Sequence, residues 1–194
     1  IYAAKIICGD CGSYFGAKVW HSNSKYRRVI YQCNSKFKGS HFCTTPHLYE
    51  PEIQEKFLQA FAQYFSQKDV VIKNCQFALN HLKKQESRKA ELQDEFVAVN
   101  EKLKEYIQHG GENFDALNAK YEELSAQLDA EEAAEFDRKR RIAKMQKILQ
   151  TLKKTDSVLE TFDESVWNAV LENLTVFHDG SLVFLFRDGT EIKV

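Results

Sequence analysis

The sequence predicts an α+β protein in which a small antiparallel sheet with accompanying helices is interrupted by a long pair of helices. Alternating apolar and polar stretches near both ends of the 194-residue chain predict strands, whereas a seven-residue apolar repeat between them predicts paired helices. Hydrophobic residues make up 43% and charged residues 28%, a composition typical of globular proteins. No apolar run approaches the roughly 18 residues that a membrane span requires, so we exclude a membrane protein.

Charge divides the chain into a basic beginning and an acidic remainder. Residues 1–48 hold seven lysines and arginines against the single acid Asp10, a net charge of +6, whereas the whole chain carries −1. Such a division indicates that the first part meets a polyanion, and the alternative is a solvated surface with chance clustering. Aromatic residues among the cations are typical of nucleic-acid binding; they are Trp20, Tyr26, Tyr31 and Phe37.

Four of the five cysteines have the spacing of a metal site, C-x2-C followed by C-x9-C; they are Cys8, Cys11, Cys33 and Cys43. Between the pairs, alternating stretches at residues 15–22 and 26–33 predict a β-hairpin. Gly9 and Gly12 allow a tight turn that directs backbone amides at the sulfurs. Four thiolates can converge on one tetrahedral Zn²⁺. We therefore predict a zinc ribbon whose closed Zn²⁺ site is structural rather than catalytic.

Other states of these cysteines define the alternatives. Disulfides require an oxidising compartment, which nothing in the sequence indicates, and a redox C-x-x-C is expected beside a βαβ pattern, which is missing. Free buried thiols are a third state. His41 or His47 could replace Cys43 as the fourth ligand, although four thiolates are our first choice.

The middle of the chain carries helical patterns. Pro51 suits a first helical turn, and an amphipathic helix is predicted over residues 51–65. A seven-residue repeat then predicts one arm of a coiled coil; its positions are Cys75, Leu82, Lys89, Phe96 and Leu103. Gly110 and Gly111 end this arm, and Asn113 caps a return arm of similar length. Folding about the glycines places Lys89 near Glu131, a pair that would set the register.

Several residues of the coiled coil have two interpretations. Apolar residues at its tip predict either a contact with another molecule or a cap on the hairpin's own core; they are Tyr106, Ile107 and Phe114. Cys75 falls on a repeat position and is predicted to be a core residue. The basic run at residues 138–141 is interpreted as a solvated helix face rather than a DNA contact.

The end of the chain predicts a short helix and three strands. Asp163 can cap the helix, and Asp-Gly turns separate strands at residues 174–178, 181–187 and 190–194. The middle strand is apolar on both faces, so we expect it to be covered on both, with the helix at 51–65 and the ribbon as partners.

These elements define the predicted organisation. A zinc-ribbon domain with a small antiparallel sheet and helices is interrupted by a long antiparallel two-helix coiled coil. The predicted ranges are 1–69 for the zinc β-ribbon and following helix, 70–156 for the coiled-coil insertion, and 157–194 for the helix and strands that return to the ribbon domain.

Motifs at both ends resemble one protein family. The opening I-I-C-G-D-C-G, with Cys33 and Cys43, resembles the recombinase zinc β-ribbon. The ending F-D-E-S-V-W, followed by V-F-H-D-G-S-L-V-F-L-F-R-D-G, is similar to the C-terminal end of large serine recombinases of the phage-integrase type. The resemblance covers nearly the whole chain, since that family also inserts a long coiled coil between these parts.

The resemblance implies the C-terminal DNA-binding fragment of a site-specific serine integrase. Its ribbon would bind double-stranded attachment-site DNA, and its coiled coil would contact other integrase subunits and control synapsis and the direction of integration or excision. A recombination directionality factor would act through this region. The zinc role passes by motif to the four cysteines, and the cellular location would be the cytoplasm of a bacterial host, with the gene on a phage or mobile element.

The DNA-contacting residues are inferred from charge. They are Lys18, His21, Lys25, Tyr26, Arg27, Arg28, Lys36 and Lys38. No catalytic serine domain is found, so we expect this fragment not to be an enzyme, although its parent would recombine DNA through a covalent phosphoserine link. The chain opens at Ile1 without an initiator methionine and is interpreted as part of a longer protein. The alternative function is a non-catalytic zinc-ribbon and coiled-coil module that binds proteins.

Overall fold

The computed structural model describes residues 1–38, 43–85, 87–109 and 114–194. They form two compact units: the sheet unit, which is Ile1–Phe77 with Lys144–Val194, and the helical unit, Ala78–Ala143. The divisions between the units fall inside helices. The predicted three-part organisation, with boundaries after residues 69 and 156, is a different division and stays a prediction. The α+β fold class predicted from the sequence is confirmed.

The first sheet of the sheet unit is a ribbon of strands in the order β2-β3-β4. These are β2 (Phe15–Trp20), β3 (Arg28–Cys33) and β4 (Leu48–Tyr49). β2 and β3 are antiparallel, with Phe15 opposite Cys33 and Trp20 opposite Arg28. The predicted hairpin is therefore confirmed, although both strands stop short of the predicted turn.

The second sheet joins the two ends of the chain in the order β1-β5-β6-β7. Its strands are β1 (Ile6–Cys8), β5 (Leu171–Val176), β6 (Leu182–Phe186) and β7 (Glu191–Lys193). The three C-terminal strands are antiparallel, as predicted, and Gly180 and Gly189 adopt the positive φ values, 83° and 95°, that glycine tolerates in turns. β1, which is not among the strands predicted from the sequence, pairs parallel to β5 with Ile6 opposite Leu174.

The core of the sheet unit lies between this second sheet and two helices, α1 (Glu50–Ser66) and α5 (Glu164–Val170). The Phe57 ring meets Trp167 edge to face at 4.9 Å. Asp163 caps α5 as predicted, since its carboxylate accepts hydrogen bonds from two backbone amides of the first turn. Cys75 is buried in this core, also as predicted, and burial raises its pKa to about 11.

The middle strand of the C-terminal meander differs from the prediction. One face of β6 is buried, with Phe184 at its centre, but Val183 and Leu185 on the other face are partly exposed. The prediction that both faces are covered therefore holds for the face that carries Phe184 and only in part for the other. Side chains alternate across a strand, and α1 packs against the sheet on the buried side.

The helical unit is built on α2 (Lys68–Lys84), α3 (Lys89–His109) and α4 (Phe114–Lys154), of which α2 and α4 extend beyond it. α3 and α4 are antiparallel, because Phe96 packs on Tyr121 at 4.8 Å and Tyr106 on Phe114 at 5.2 Å. Leu124 completes their buried seam with apolar residues of α3. The predicted Gly110–Gly111 turn and Asn113 cap lie outside the described residues.

The first arm of the hairpin is not the continuous helix that the repeat predicts. It is interrupted between Lys84 and Lys89, and Ser87 starts α3 by accepting a hydrogen bond from the Lys89 amide. The predicted contact of Lys89 with Glu131 is wrong by one residue. Lys89 pairs with Glu132 at 2.9 Å, whereas Glu131 accepts a hydrogen bond from the Ser87 hydroxyl.

The basic run of α4 is engaged along its own helix. Arg138 pairs with Glu131, Lys139 with Glu135 and Arg140 with Asp137. These pairs favour the interpretation of a solvated helix face. Among the described residues, no helix has both the length and the apolar character needed to traverse a lipid bilayer.

Candidate metal centre and nucleic-acid interface

The four predicted ligands come from two separated parts of the chain. Cys8 ends β1 and Cys11 follows it in a turn, whereas Cys33 ends β3 and Cys43 precedes β4. Their sulfurs all lie within 4.8 Å of one another, with 3.4 Å between Cys8 and Cys43 and between Cys11 and Cys33. A tetrahedron of thiolates around Zn²⁺ has sulfurs roughly 3.8 Å apart, so the residues present fit such an ion. Disulfides would need about 2.05 Å, and all four thiols are free.

Turn geometry explains why these cysteines converge. The Cys8 amide donates to Ser13 O at 2.8 Å, and the Gly12 amide donates to Cys8 O at 2.9 Å. Gly12 has φ +72°, and a Cβ on Gly9 would lie 2.5 Å from the Phe177 ring. Gly12 is therefore required for its backbone conformation, and Gly9 is required because the Phe177 ring approaches it closely. The turn is anchored to the second sheet because the Gly9 amide donates to Val176 O.

The thiols are unequal in acidity. Backbone hydrogen bonding from Ser13 lowers the pKa of Cys11 to about 6, whereas burial raises the pKa of Cys8 and Cys33. A buried thiolate is costly without a compensating charge. A bound dication would supply that compensation to all four sulfurs, so the chemistry of the donor set also fits a metal ion.

A hydroxyl that the sequence analysis missed lies beside the sulfurs. Thr45 is fully buried, and its Oγ1 lies 3.0 Å from the sulfurs of both Cys8 and Cys43. The same hydroxyl donates to Asp10 Oδ2 at 3.0 Å, and the ammonium of Lys36 donates to the Thr45 carbonyl at 2.9 Å. In the sequence, the sign of this role was the position of Thr45 two residues after Cys43, because groups that support metal ligands lie close to them.

The alternative fourth ligand His47 is directed elsewhere. Its ring packs on Trp20 at a centroid distance of 4.8 Å, and its Nε2 lies 3.2 Å from the Tyr49 hydroxyl. His47 is therefore not part of the cysteine cluster. The other alternative, His41, lies outside the described residues.

Most of the residues inferred to contact DNA are on the exposed surface of the ribbon. Seven of them are exposed; these are Lys18, His21, Lys25, Tyr26, Arg27, Arg28 and Lys38. Lys36 differs because it is partly buried and holds the Thr45 carbonyl. It therefore contributes to the metal centre more directly than to an exposed cationic surface.

One face of the ribbon combines cations with aromatic rings. Cross-strand register places Trp20 beside Arg28, and Lys18 and Tyr49 beside Ile30. The Arg28 guanidinium lies 5.8 Å from the Trp20 ring and 5.6 Å from the Tyr49 ring. Stacking of this kind fixes the direction of an arginine while leaving its charge available. We call this group, which also includes His47, the stacked face.

The predicted tip residues divide into two kinds. Tyr106 and Phe114 pack on each other, whereas Ile107 is 75% exposed. Phe114 keeps 41% of its surface accessible. The tip therefore has features of both interpretations, a local cap and an exposed apolar side chain.

Comparison with known proteins finds a similarity over the first third of the chain. Residues 1–62 match the family model described as the recombinase zinc beta ribbon domain, which confirms the resemblance to recombinases. A solved structure described as a crystal structure of an LSR–DNA complex is similar at 14% identity and a TM-score of 0.33, over 94% of this chain. This chain spans 54% of the length of that one. The search of the curated proteins found no match.

Proposed function

We propose that this chain, whose residues 1–62 match the family model of the recombinase zinc β-ribbon domain, is the C-terminal DNA-binding portion of a large serine recombinase. The observation that carries the proposal is the coincidence of that domain with an exposed cationic hairpin anchored at a four-cysteine cluster. Metal binding would fix the hairpin, and the hairpin's cations would contact the phosphates of attachment-site DNA. Phosphate contacts position a protein on the duplex, and base contacts supply sequence specificity.

The ion in this proposal is a single structural Zn²⁺, held by Cys8, Cys11, Cys33 and Cys43. When bound, it supplies a cross-link between the two parts of the ribbon and compensates the charge of the thiolates. Four protein ligands fill a tetrahedral site and leave no position for water, which is why the role is structural. The chain's own contribution is to place the sulfurs through its turns and to hold them beside Thr45.

On the DNA side, we assign the contacts to the ribbon cations. Arg28 on the stacked face is the best-defined of them, because two rings hold its guanidinium in place. Arg27, Lys25 and Lys18 are exposed and would add phosphate contacts. The aromatic rings of the stacked face limit the rotamers of Arg28 and so reduce the entropy cost of binding.

The rest of the proposal concerns the whole recombinase. The parent protein would carry out strand exchange through a covalent phosphoserine link made by another of its domains, in the cytoplasm of a bacterial host. The α3–α4 hairpin would contact other subunits through its tip, and so govern synapsis and directionality. A recombination directionality factor would act on this hairpin. The exposed Ile107 supports a contact at the tip.

The experiment is a titration of attachment-site duplex at several salt concentrations. Arg27→Ala/Arg28→Ala should weaken binding and reduce the log–log salt slope by about 0.9 for each phosphate that the variant no longer neutralises. Lys102→Ala/Lys104→Ala is the matched control, because it removes two exposed cations from α3 in the helical unit. Equal slopes for the wild type and the ribbon variant would reject this interface. Absence of salt-dependent binding by the wild type, with a protein co-purifying instead, would favour the protein-binding module.

A further inference from the structure

A second group of cations meets around one carboxylate in the sheet unit, outside the ribbon. Lys144 on α4 contacts Glu172 Oε1 at 2.6 Å, and Arg187 Nε lies 3.6 Å from the other carboxylate oxygen. Lys5, just before β1, donates to the Leu171 carbonyl at 2.9 Å, and Arg187 Nε donates to the same oxygen at 3.2 Å. Lys147 adds a further ammonium about one helical turn beyond Lys144. We call these four cations and Glu172 the Glu172 cluster.

Positive charge is in excess in this cluster. One carboxylate is surrounded by three cations, Lys144, Arg187 and Lys5, and Lys147 lies one turn further along α4, although residues 49–194 as a whole are acidic. Burial and the nearby cations, Arg187 foremost, lower the pKa of Lys5 to about 8. Burial opposes ionisation of Glu172, but Lys144 and Arg187 together hold its pKa below the ordinary range. The carboxylate is therefore ionised and still leaves the repulsion among the cations partly uncompensated.

The charges of the Glu172 cluster are accessible to a ligand, but solvent screens them less than it screens fully exposed charges. The side chains of Lys144 and Arg187 are 32% and 20% exposed, and Glu172 is 38% exposed. Charges in such partly buried positions interact more strongly than fully solvated ones. Lys147 is exposed, and none of the ion pairs found in the described part of the chain involves it. The Glu172 cluster thus combines three cations that are engaged in ion pairs or hydrogen bonds with one, Lys147, for which the described residues show no ion pair.

We propose that the Glu172 cluster binds a phosphodiester group of the DNA backbone, as a second contact separate from the ribbon. This inference rests on the proposed DNA-binding function. The contacts of Arg187 with Leu171 and Glu172 use Nε, which leaves its two terminal nitrogens for the bidentate geometry that phosphate accepts. Lys144 and Lys147 add point charges from one face of α4. Glu172 holds the cations in place before DNA arrives and competes with phosphate for them.

That competition predicts opposite effects for two neutralising substitutions. Lys147→Gln removes a cation and should weaken binding of attachment-site duplex roughly eightfold at 0.1 M salt, with a salt slope reduced by about 0.9. Glu172→Gln removes the competing anion and should tighten binding severalfold. Lys153→Gln, an exposed lysine of the same helix, is the matched control and should leave both quantities unchanged.

The outcomes separate this inference from the proposed function. If the wild type binds and the Arg27/Arg28 variant loses slope, while Lys147→Gln and Glu172→Gln match the wild type, the second contact is overturned and the ribbon contact stands. If the wild type does not bind duplex DNA, both proposals fail. Lys147 is exposed, so its variant tests the inference even where Glu172→Gln unfolds, and thermal melts identify that case. A response of the Lys147 ammonium signal to inorganic phosphate, with unchanged DNA binding, would also overturn it.

Discussion

The hydroxyl oxygen of Thr45 lies 3.0 Å from the sulfur of Cys8, inside the core of the sheet unit. The sulfur of Cys43 is equally close to the Thr45 oxygen, and the Thr45 hydroxyl also donates to Asp10. A threonine hydroxyl has one proton, so it can donate to one of these three acceptors at a time. Thr45 therefore links the two halves of the cysteine cluster and would act as a positioning residue for the proposed metal ligands.

The first prediction concerns that hydroxyl. Thr45→Val keeps the shape of the side chain but removes its hydrogen bonds, so metal affinity should fall about 10- to 100-fold. Competition with a chelator of known affinity measures the change. Thr44→Val is the control, because Thr44 is exposed and lies one residue away. Equal affinities for Thr45→Val and the wild type would show that Thr45 is a packing residue only.

The second prediction concerns the core that supports the ribbon. Phe57→Ala should lower the free energy of unfolding by about 3–5 kcal/mol, because its buried ring packs edge to face on Trp167. Phe77→Ala removes the same side chain where it is 77% exposed, and should change stability by less than about 0.5 kcal/mol. Urea unfolding measures both variants. Similar losses for the two would contradict the described core.

The cysteine set could be predicted because local chemistry determines it. Cys8 and Cys11 lie on one tight turn, and the β2–β3 hairpin brings Cys33 next to them, so short-range structure places these three sulfurs. The parallel pairing of β1 with β5 could not, because Ile6–Cys8 is too short to show a pattern and its partner strand, Leu171–Val176, lies near the other end of the chain. The sequence also contained no sign that Lys5 would donate to the Leu171 carbonyl, because that contact depends on this pairing.

The coiled-coil pattern predicted that two antiparallel helices pack together, but not the interruption of the first arm or the exact ion pair of Lys89. Phe96 is a repeat position of the first arm, and it packs on Tyr121 of the return arm. The interruption before Lys89 was hidden, because the seven-residue count runs through it without a glycine or proline. Next to that interruption, Ser87 donates to Glu131 and Lys89 pairs with Glu132.

The third prediction concerns pH. The pKa of Lys5 is about 8 in the folded protein, below its ordinary value of 10.5. Between these values the unfolded chain binds the proton more, so the contribution of Lys5 to stability should rise with pH. Lys5→Met should thus be more stable than the wild type at pH 7, and the difference should shrink towards pH 10.

Thermal melts across this pH range measure that difference. Lys153→Met is the control, because its exposed ammonium should show no such trend. A gap between Lys5→Met and the wild type that stays constant from pH 7 to pH 10 would contradict the assigned pKa.

The fourth prediction concerns the tip of the α3–α4 hairpin. Replacing Tyr106, Ile107 and Phe114 with serine should leave binding to a single attachment site unchanged and impair synapsis by the full-length enzyme. Gel assays of one-site and two-site complexes measure the two steps. Val97→Ser, an exposed apolar residue of the same helix, is the control. Loss of one-site binding would show that the tip supports the fold instead.

The most direct measurement of the central claim is the affinity for attachment-site duplex before and after the metal is removed. Because the proposed ion would join the two parts of the ribbon, the metal-free protein should lose its specific binding, and Zn²⁺ should restore it while Mg²⁺ does not. The far-ultraviolet helical signal should persist and show that α3 and α4 remain folded. Undiminished specific binding by the metal-free protein would contradict the account.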